Sequence, residues 1–148
     1  MYEYGVGWVT ASPALITAVR TAKQYLTYVS AGPFQYAVAE ALRLPADSFA
    51  TTREDLRTKR DILSEGLTAA GFQVFQPQGT YFITTDIAAL GAKDGLAFCR
   101  ALPERCGVVA IPNTVFYDDP DAGRTQVRFA FCKREDILRE AAARLQRW

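Results

Sequence analysis

The segment Gln126-Val127-Arg128-Phe129-Ala130-Phe131-Cys132 sets one arginine inside an otherwise apolar run. Strand alternation sends Val127, Phe129 and Phe131 to one face and Arg128, Ala130 and Cys132 to the other. Burying a guanidinium among such neighbours is costly unless an anion answers it. Its planar fork matches a carboxylate through two parallel hydrogen bonds, which a lysine cannot reproduce. Two readings follow from the strand alone. Arg128 grips a carboxylate ligand, or it is a strand arginine that snorkels to water or pairs with an internal Asp or Glu.

Composition narrows the other chemistry. The 148 residues contain no histidine, which removes Ser-His-Asp and Cys-His nucleophilic sites and every histidine-containing metal centre. Cys99, Cys106 and Cys132 are odd in number and lack close paired spacing, so they read as reduced, packed thiols of a cytoplasmic protein. No metal site is expected. With 17 basic and 16 acidic residues the formal net charge is +1, and no basic stripe argues for nucleic acid. No apolar run approaches the roughly 18–20 residues of a membrane span, and Met1 opens no basic and apolar leader.

These residues must be carried by a small number of elements. Val6 to Thr10 reads as a strand. Ser12 as N-cap with Pro13 at the first helical position opens a helix through about Tyr28. Ser30-Ala31-Gly32 breaks it, and Pro33 starts a second helix that stops near Pro45. A long helix from about Ser48 to Ala70, with Leu56, Leu63 and Leu67 on its apolar stripe, ends at Gly71. Strands at Gln73–Phe75 and Tyr81–Ile87 flank a Pro77-Gln78-Gly79 turn, where Gly79 is expected to supply positive φ. A helix over about Asp94–Leu102, strands at Val108–Ile111 and Gln126–Cys132, and a helix over about Glu135–Arg147 follow. That last helix is expected to bury Ile137, Leu138, Ala141 and Leu145. The order implies an α+β sandwich, a small and largely antiparallel sheet covered by helices. Tyr25, Phe34 and Tyr36 read as packing residues at helical spacing, Tyr81 and Phe82 as core, and Arg124 as a solvated loop arginine.

Several segments in order carry a resemblance. Gly7-Trp8-Val9 with Ser12-Pro13, Ser30-Ala31-Gly32-Pro33-Phe34-Gln35, and Lys59-Arg60-Asp61-Ile62-Leu63 precede Pro77-Gln78-Gly79-Thr80-Tyr81-Phe82. Gly107-Val108 to Ile111-Pro112, Phe116-Tyr117 and the Val127-Arg128-Phe129 strand then follow. From about Val6 to Trp148 the chain resembles the C-terminal part of a pyridoxal-phosphate-dependent aminotransferase of fold type I, class I/II. Within that family it is most similar to the kynurenine, glutamine and methionine aminotransferases and the bacterial succinyldiaminopimelate aminotransferases.

The resemblance implies that Arg128 holds the α-carboxylate of an amino acid or 2-oxo acid. It implies that residues 1–31 are a remnant of the cofactor-binding large domain and 32–148 the small domain. It makes Tyr28 a candidate for substrate or cofactor contact across a homodimer. The family's Schiff-base lysine would lie before Met1, and its phosphate-contacting cation would align with Gly5, which departs from the pattern. Lys23, Lys59, Lys93 and Lys133 occupy helical or surface-like contexts. The expectation is therefore a C-terminal aminotransferase fragment with no catalytic or cofactor-binding residue of its own, inactive alone and not binding pyridoxal phosphate stably. The alternative is a non-catalytic carboxylate-binding module, or one that dimerises through its N-terminal helices. Leu15, Ile16, Val19 and Leu26 give the first helix an apolar face that needs a partner.

Overall fold

The computed structural model describes residues 6–29, 32–119 and 121–147. The described chain divides into two compact units, residues 1–49 and 50–148.

The first unit holds helices α1 (Pro13–Leu26) and α2 (Gly32–Leu42) and a 3-10 turn at Ala46–Phe49. Ser12 occupies the N-cap position of α1 with proline following, and Thr27 closes the helix. The strand expected over Val6–Thr10 is absent: that segment pairs with no other described strand, and an isolated strand leaves its backbone groups to water. None of the unit's described residues is buried. Tyr25 and Tyr36 are 84% and 79% exposed, so the packing role expected for them, and for the exposed Phe34, is not realised within the chain. Leu15, Val19 and Leu26 are exposed as well. Ser30, Ala31 and Gly5 lie outside the described residues.

The second unit begins with α3 (Ala50–Ala69), two residues later than expected because the 3-10 turn precedes it. Gly71 at φ +87 ends the helical region, in the left-handed conformation that glycine adopts without penalty. Strands β1 (Gln73–Phe75) and β2 (Phe82–Asp86) follow. Helix α4 (Gly95–Cys106) is capped by Asp94, whose carboxylate accepts the N–H groups of Leu96 and Ala97. It runs past its expected end through Pro103, since a proline in the last turn forfeits one helical hydrogen bond without stopping the turn. Strand β3 is only Ile111–Pro112, shorter than the expected Val108–Ile111. Strand β4 (Gln126–Ala130) and helix α5 (Glu135–Leu145) complete the unit.

The sheet order is β1-β2-β4-β3, and every neighbouring pair is antiparallel. The α+β architecture with an antiparallel sheet is thus as expected. The register pairs Ile83 with Phe129, Thr84 with Arg128 and Ile111 with Arg128. Ile83, Thr85, Val127 and Phe129 consequently face the helices, where they meet Leu63, Leu67, Phe98, Leu102, Leu138 and Leu145. Phe72 sets its ring edge-on to both Phe98 and Phe129, with centroids 6.0 and 5.6 Å away. On α5 the buried positions are Leu138, Ala142 and Leu145. Ile137 is 53% exposed, because the i, i+4, i+7 stripe starting at Leu138 leaves its neighbour about 100° off the contact line.

The opposite face of the sheet is the less buried one. Phe75, Phe82, Thr84, Arg128, Ala130 and Ile111 lie on it, each half-buried or exposed.

Candidate functional site

Arg128 stands near the middle of that open face, flanked by Thr84 on β2 and Ile111 on β3. It is half-buried, and among the described residues it makes no hydrogen bond or ion pair with an acidic side chain. Its neighbours are aromatic instead. The guanidinium carbon lies 4.0 Å from the ring centroid of Phe116 and 4.6 Å from that of Phe82. At these distances the ring quadrupoles attract the cation, while its in-plane N–H donors stay unassigned. The internal-pair reading of Arg128 thus has no partner among the described residues.

Local chemistry explains why both rings are there. Phe82 pairs with Ala130, which puts it diagonally beside Arg128 on the same face. The turn leading to it is bent at Thr80, whose φ is +67, rather than at Gly79, where the positive φ was expected. A β-branched residue is strained there, and Thr80 offsets part of the strain by accepting the Phe82 N–H on its hydroxyl at 3.2 Å. Tyr81 then sets its ring edge-on to Phe82 at 5.8 Å. Neither aromatic is core: Tyr81 is exposed and Phe82 half-buried, because the strand register turns Ile83 inward instead.

Phe116 ends a 3-10 turn, Asn113–Phe116, that follows β3 directly. Asn113 donates to Gln126 Oε1 at 3.2 Å, tying this turn to the start of β4. Gly123 permits the loop to fold back closely, since a Cβ there would sit 2.9 Å from the Tyr117 ring. Arg124 pairs with Asp121 in the same loop, with both side chains largely exposed, as a solvated arginine would.

A cavity of about 550 Å³ opens beside Arg128, bounded by Phe82, Val109, Ile111, Ala130 and Ile137. Its far rim carries Glu140 and Arg144, which pair at 2.8 Å. That hydrogen bond, then the Arg144 charge and more weakly that of Arg147, hold the Glu140 carboxyl below the usual range. Arg144 is therefore answered by an acidic side chain, and Arg128 is not among the described residues. Lys133 lines the cavity as an exposed side chain.

Tyr28 belongs to the first unit. It is 76% exposed, adopts φ +58, and lines a shallow cavity with Arg20, Lys23 and Gln24. Of the three cysteines, Cys99 is buried and Cys106 half-buried, but Cys132 is exposed, contrary to the expectation that all three pack. Burial pushes the Cys99 thiol up to about 11, so it is not a nucleophile. Among the described residues no cluster of acidic or cysteine side chains could hold a metal ion, and no helix is long and apolar enough to cross a membrane. Phe82 and Phe116 are the neighbours that sequence reasoning missed. Alternation within β2 separates Phe82 and Thr84 from Ile83 and Thr85, but only the register says which pair joins Arg128.

Comparison with known proteins identifies the family. The family model for aminotransferase class I and II matches residues 2–145. The solved N-succinyldiaminopimelate aminotransferase of Mycobacterium tuberculosis is 48% identical and superposes with a TM-score of 0.80, covering 97% of this chain and 37% of that one. The methionine aminotransferase of Escherichia coli is 34% identical, over 99% of this chain and 38% of its own length. A kynurenine–oxoglutarate transaminase of Dictyostelium discoideum is 35% identical, over 92% and 36%. The chain thus spans a little over a third of the length of these relatives. By the extent of the match and by its fold, it belongs to the class I and II aminotransferase family.

Proposed function

We propose that this chain is the substrate-carboxylate-holding, C-terminal portion of a pyridoxal-phosphate-dependent aminotransferase, which moves an amino group between an amino acid and a 2-oxo acid. In this reading residues 1–31 belong to the large domain and 32–148 to the small domain. Arg128 grips the α-carboxylate and fixes the substrate's orientation, which is catalysis by positioning. The single observation that carries the reading is Arg128 itself: a half-buried guanidinium on an open sheet face, beside a cavity, with no acidic partner among the described residues. Tyr28 contributes a contact to substrate or cofactor, and the whole acts as a homodimer in the cytoplasm. N-succinyldiaminopimelate is the substrate suggested by the 48% identical relative's name.

The residues described do not fit the cofactor. When bound, pyridoxal phosphate supplies the electron sink of transamination. It needs a lysine amine that is desolvated or otherwise activated. Lys23 is bonded to Thr27, Lys59 pairs with Asp55 at 2.7 Å, and Lys93 and Lys133 are exposed. The position aligned with the phosphate-contacting cation is Gly5, outside the described residues. The 148-residue chain alone is therefore inactive in this proposal. Incubation with pyridoxal phosphate and reduction with borohydride should leave no stoichiometric pyridoxyl-lysine at any one site. Labelling of one lysine together with amino transfer to 2-oxoglutarate would overturn it.

A further inference from the structure

We propose that Phe82 and Phe116 are specificity-determining residues that make Arg128 selective for a planar carboxylate over a tetrahedral oxyanion. The inference rests on the reading of Arg128 as a carboxylate grip and goes beyond it, to what the two rings do. The guanidinium carbon sits over both rings, at 4.0 and 4.6 Å, so each ring occupies a side from which water or a ligand oxygen would otherwise approach. A ring face carries negative potential and repels an anionic oxygen. The approach left favourable is along the guanidinium edge, where two N–H groups meet the two coplanar oxygens of a carboxylate. A sulfonate or phosphonate uses two oxygens the same way, but its third projects out of that plane towards a ring.

The segments that carry both rings are held in place. Phe82 is fixed by the strained Thr80 turn, by the Thr80 hydroxyl on its N–H and by the edge of Tyr81. The turn that carries Phe116 is tied to β4 by the Asn113–Gln126 bond. A guanidinium in contact with two rings has fewer orientations to lose when ligand arrives, which lowers the ordering cost of binding. The rings position and filter; the contact to ligand is made by Arg128.

The test uses the full 148-residue chain, with the Arg128 Nε–Hε resonance followed by NMR during titration with acetate or methanesulfonate. Both probes carry one negative charge and one methyl group, so they differ in oxyanion shape and in a basicity preference that is independent of the rings. Removing one ring by Phe116→Leu should lower the acetate-over-methanesulfonate preference about twofold or more, a ring–oxyanion repulsion of the same order as one ring–cation attraction. It should also shift the Arg128 Hε signal by loss of ring current. Phe82→Leu/Phe116→Leu should lower the preference further. Phe116 is 55% exposed, so its single variant keeps the test valid if the double variant fails to fold. An unchanged preference in Phe116→Leu overturns the inference. Acetate shifts that persist elsewhere on the chain with equal affinity in Arg128→Ala sink the carboxylate-grip reading itself. Acetate binding that requires Arg128 but ignores the rings sinks only the selectivity.

Discussion

Replacing Arg128 by alanine should cost the folded chain only about 1–2 kcal/mol, and the structure says where that comes from. Two cation–π contacts, to Phe82 and Phe116, contribute about 0.5–1 kcal/mol each at a partly exposed site. Loss of the half-buried methylene stem adds a few tenths, since a fully buried CH₂ is worth about 0.8 kcal/mol. Relief of guanidinium desolvation works in the opposite direction and keeps the sum near the lower end. No buried partner charge is orphaned, because no acidic side chain among the described residues pairs with Arg128. The helix-covered face, with Val127 and Phe129 on either side of Arg128 in sequence, is untouched. Urea denaturation followed by far-UV circular dichroism should show a small drop in midpoint with an unchanged m-value. Arg128→Lys should lose less, because it keeps most of the stem. The difference between native chain and Arg128→Ala should not vary as pH falls from about 7 to 3, whereas a paired Asp or Glu would lose its stabilisation progressively below about pH 5. A loss of 3–5 kcal/mol, the signature of a broken buried ion pair, would refute the reasoning. It would return Arg128 to a structural role.

Gly66 lies where α3 crosses α5, and a Cβ there would stand 2.3 Å from the Ala142 Cβ. Gly66→Ala should therefore destabilise by about 1–3 kcal/mol despite its better helix propensity, and Gly66→Ala/Ala142→Gly should recover most of the loss in the same urea experiment. In a thiol-reagent assay at pH 8, exposed Cys132 should react quickly and Cys99 only on unfolding. The Cys99 thiol is raised from 9.0 to about 11 in the folded chain, so the unfolded chain gives up that proton first. Stability is then full below about pH 9 and falls progressively towards pH 11, a slope that Cys99→Ala should flatten. Sedimentation at micromolar concentration should find the chain associated rather than monomeric, since Leu15, Val19, Tyr25 and Leu26 of α1 are exposed; a clean monomer would refute the dimer proposal.

The helices of the second unit, the glycine stop at Gly71 and three of the four strands were legible in the sequence, because periodicity and caps are local signals, whereas β3 shares only Ile111 with its expected span. The arginine that matters was legible for the same reason: a charge inside an apolar alternation is conspicuous wherever the strand ends up. The ordered motifs carried the family. Tertiary structure alone decided which neighbours Arg128 has. The pairing of Phe82 with Ala130, Thr84 with Arg128 and Ile83 with Phe129 is a long-range choice, and a slip of one residue would exchange the two faces. The same kind of choice left Ile137 and Tyr81 in solvent and brought Phe116 over the guanidinium from a loop with no periodic signal. A side chain's place along an element is set by its near neighbours in the chain; the side it presents, and to what, is set by packing against residues tens of positions away.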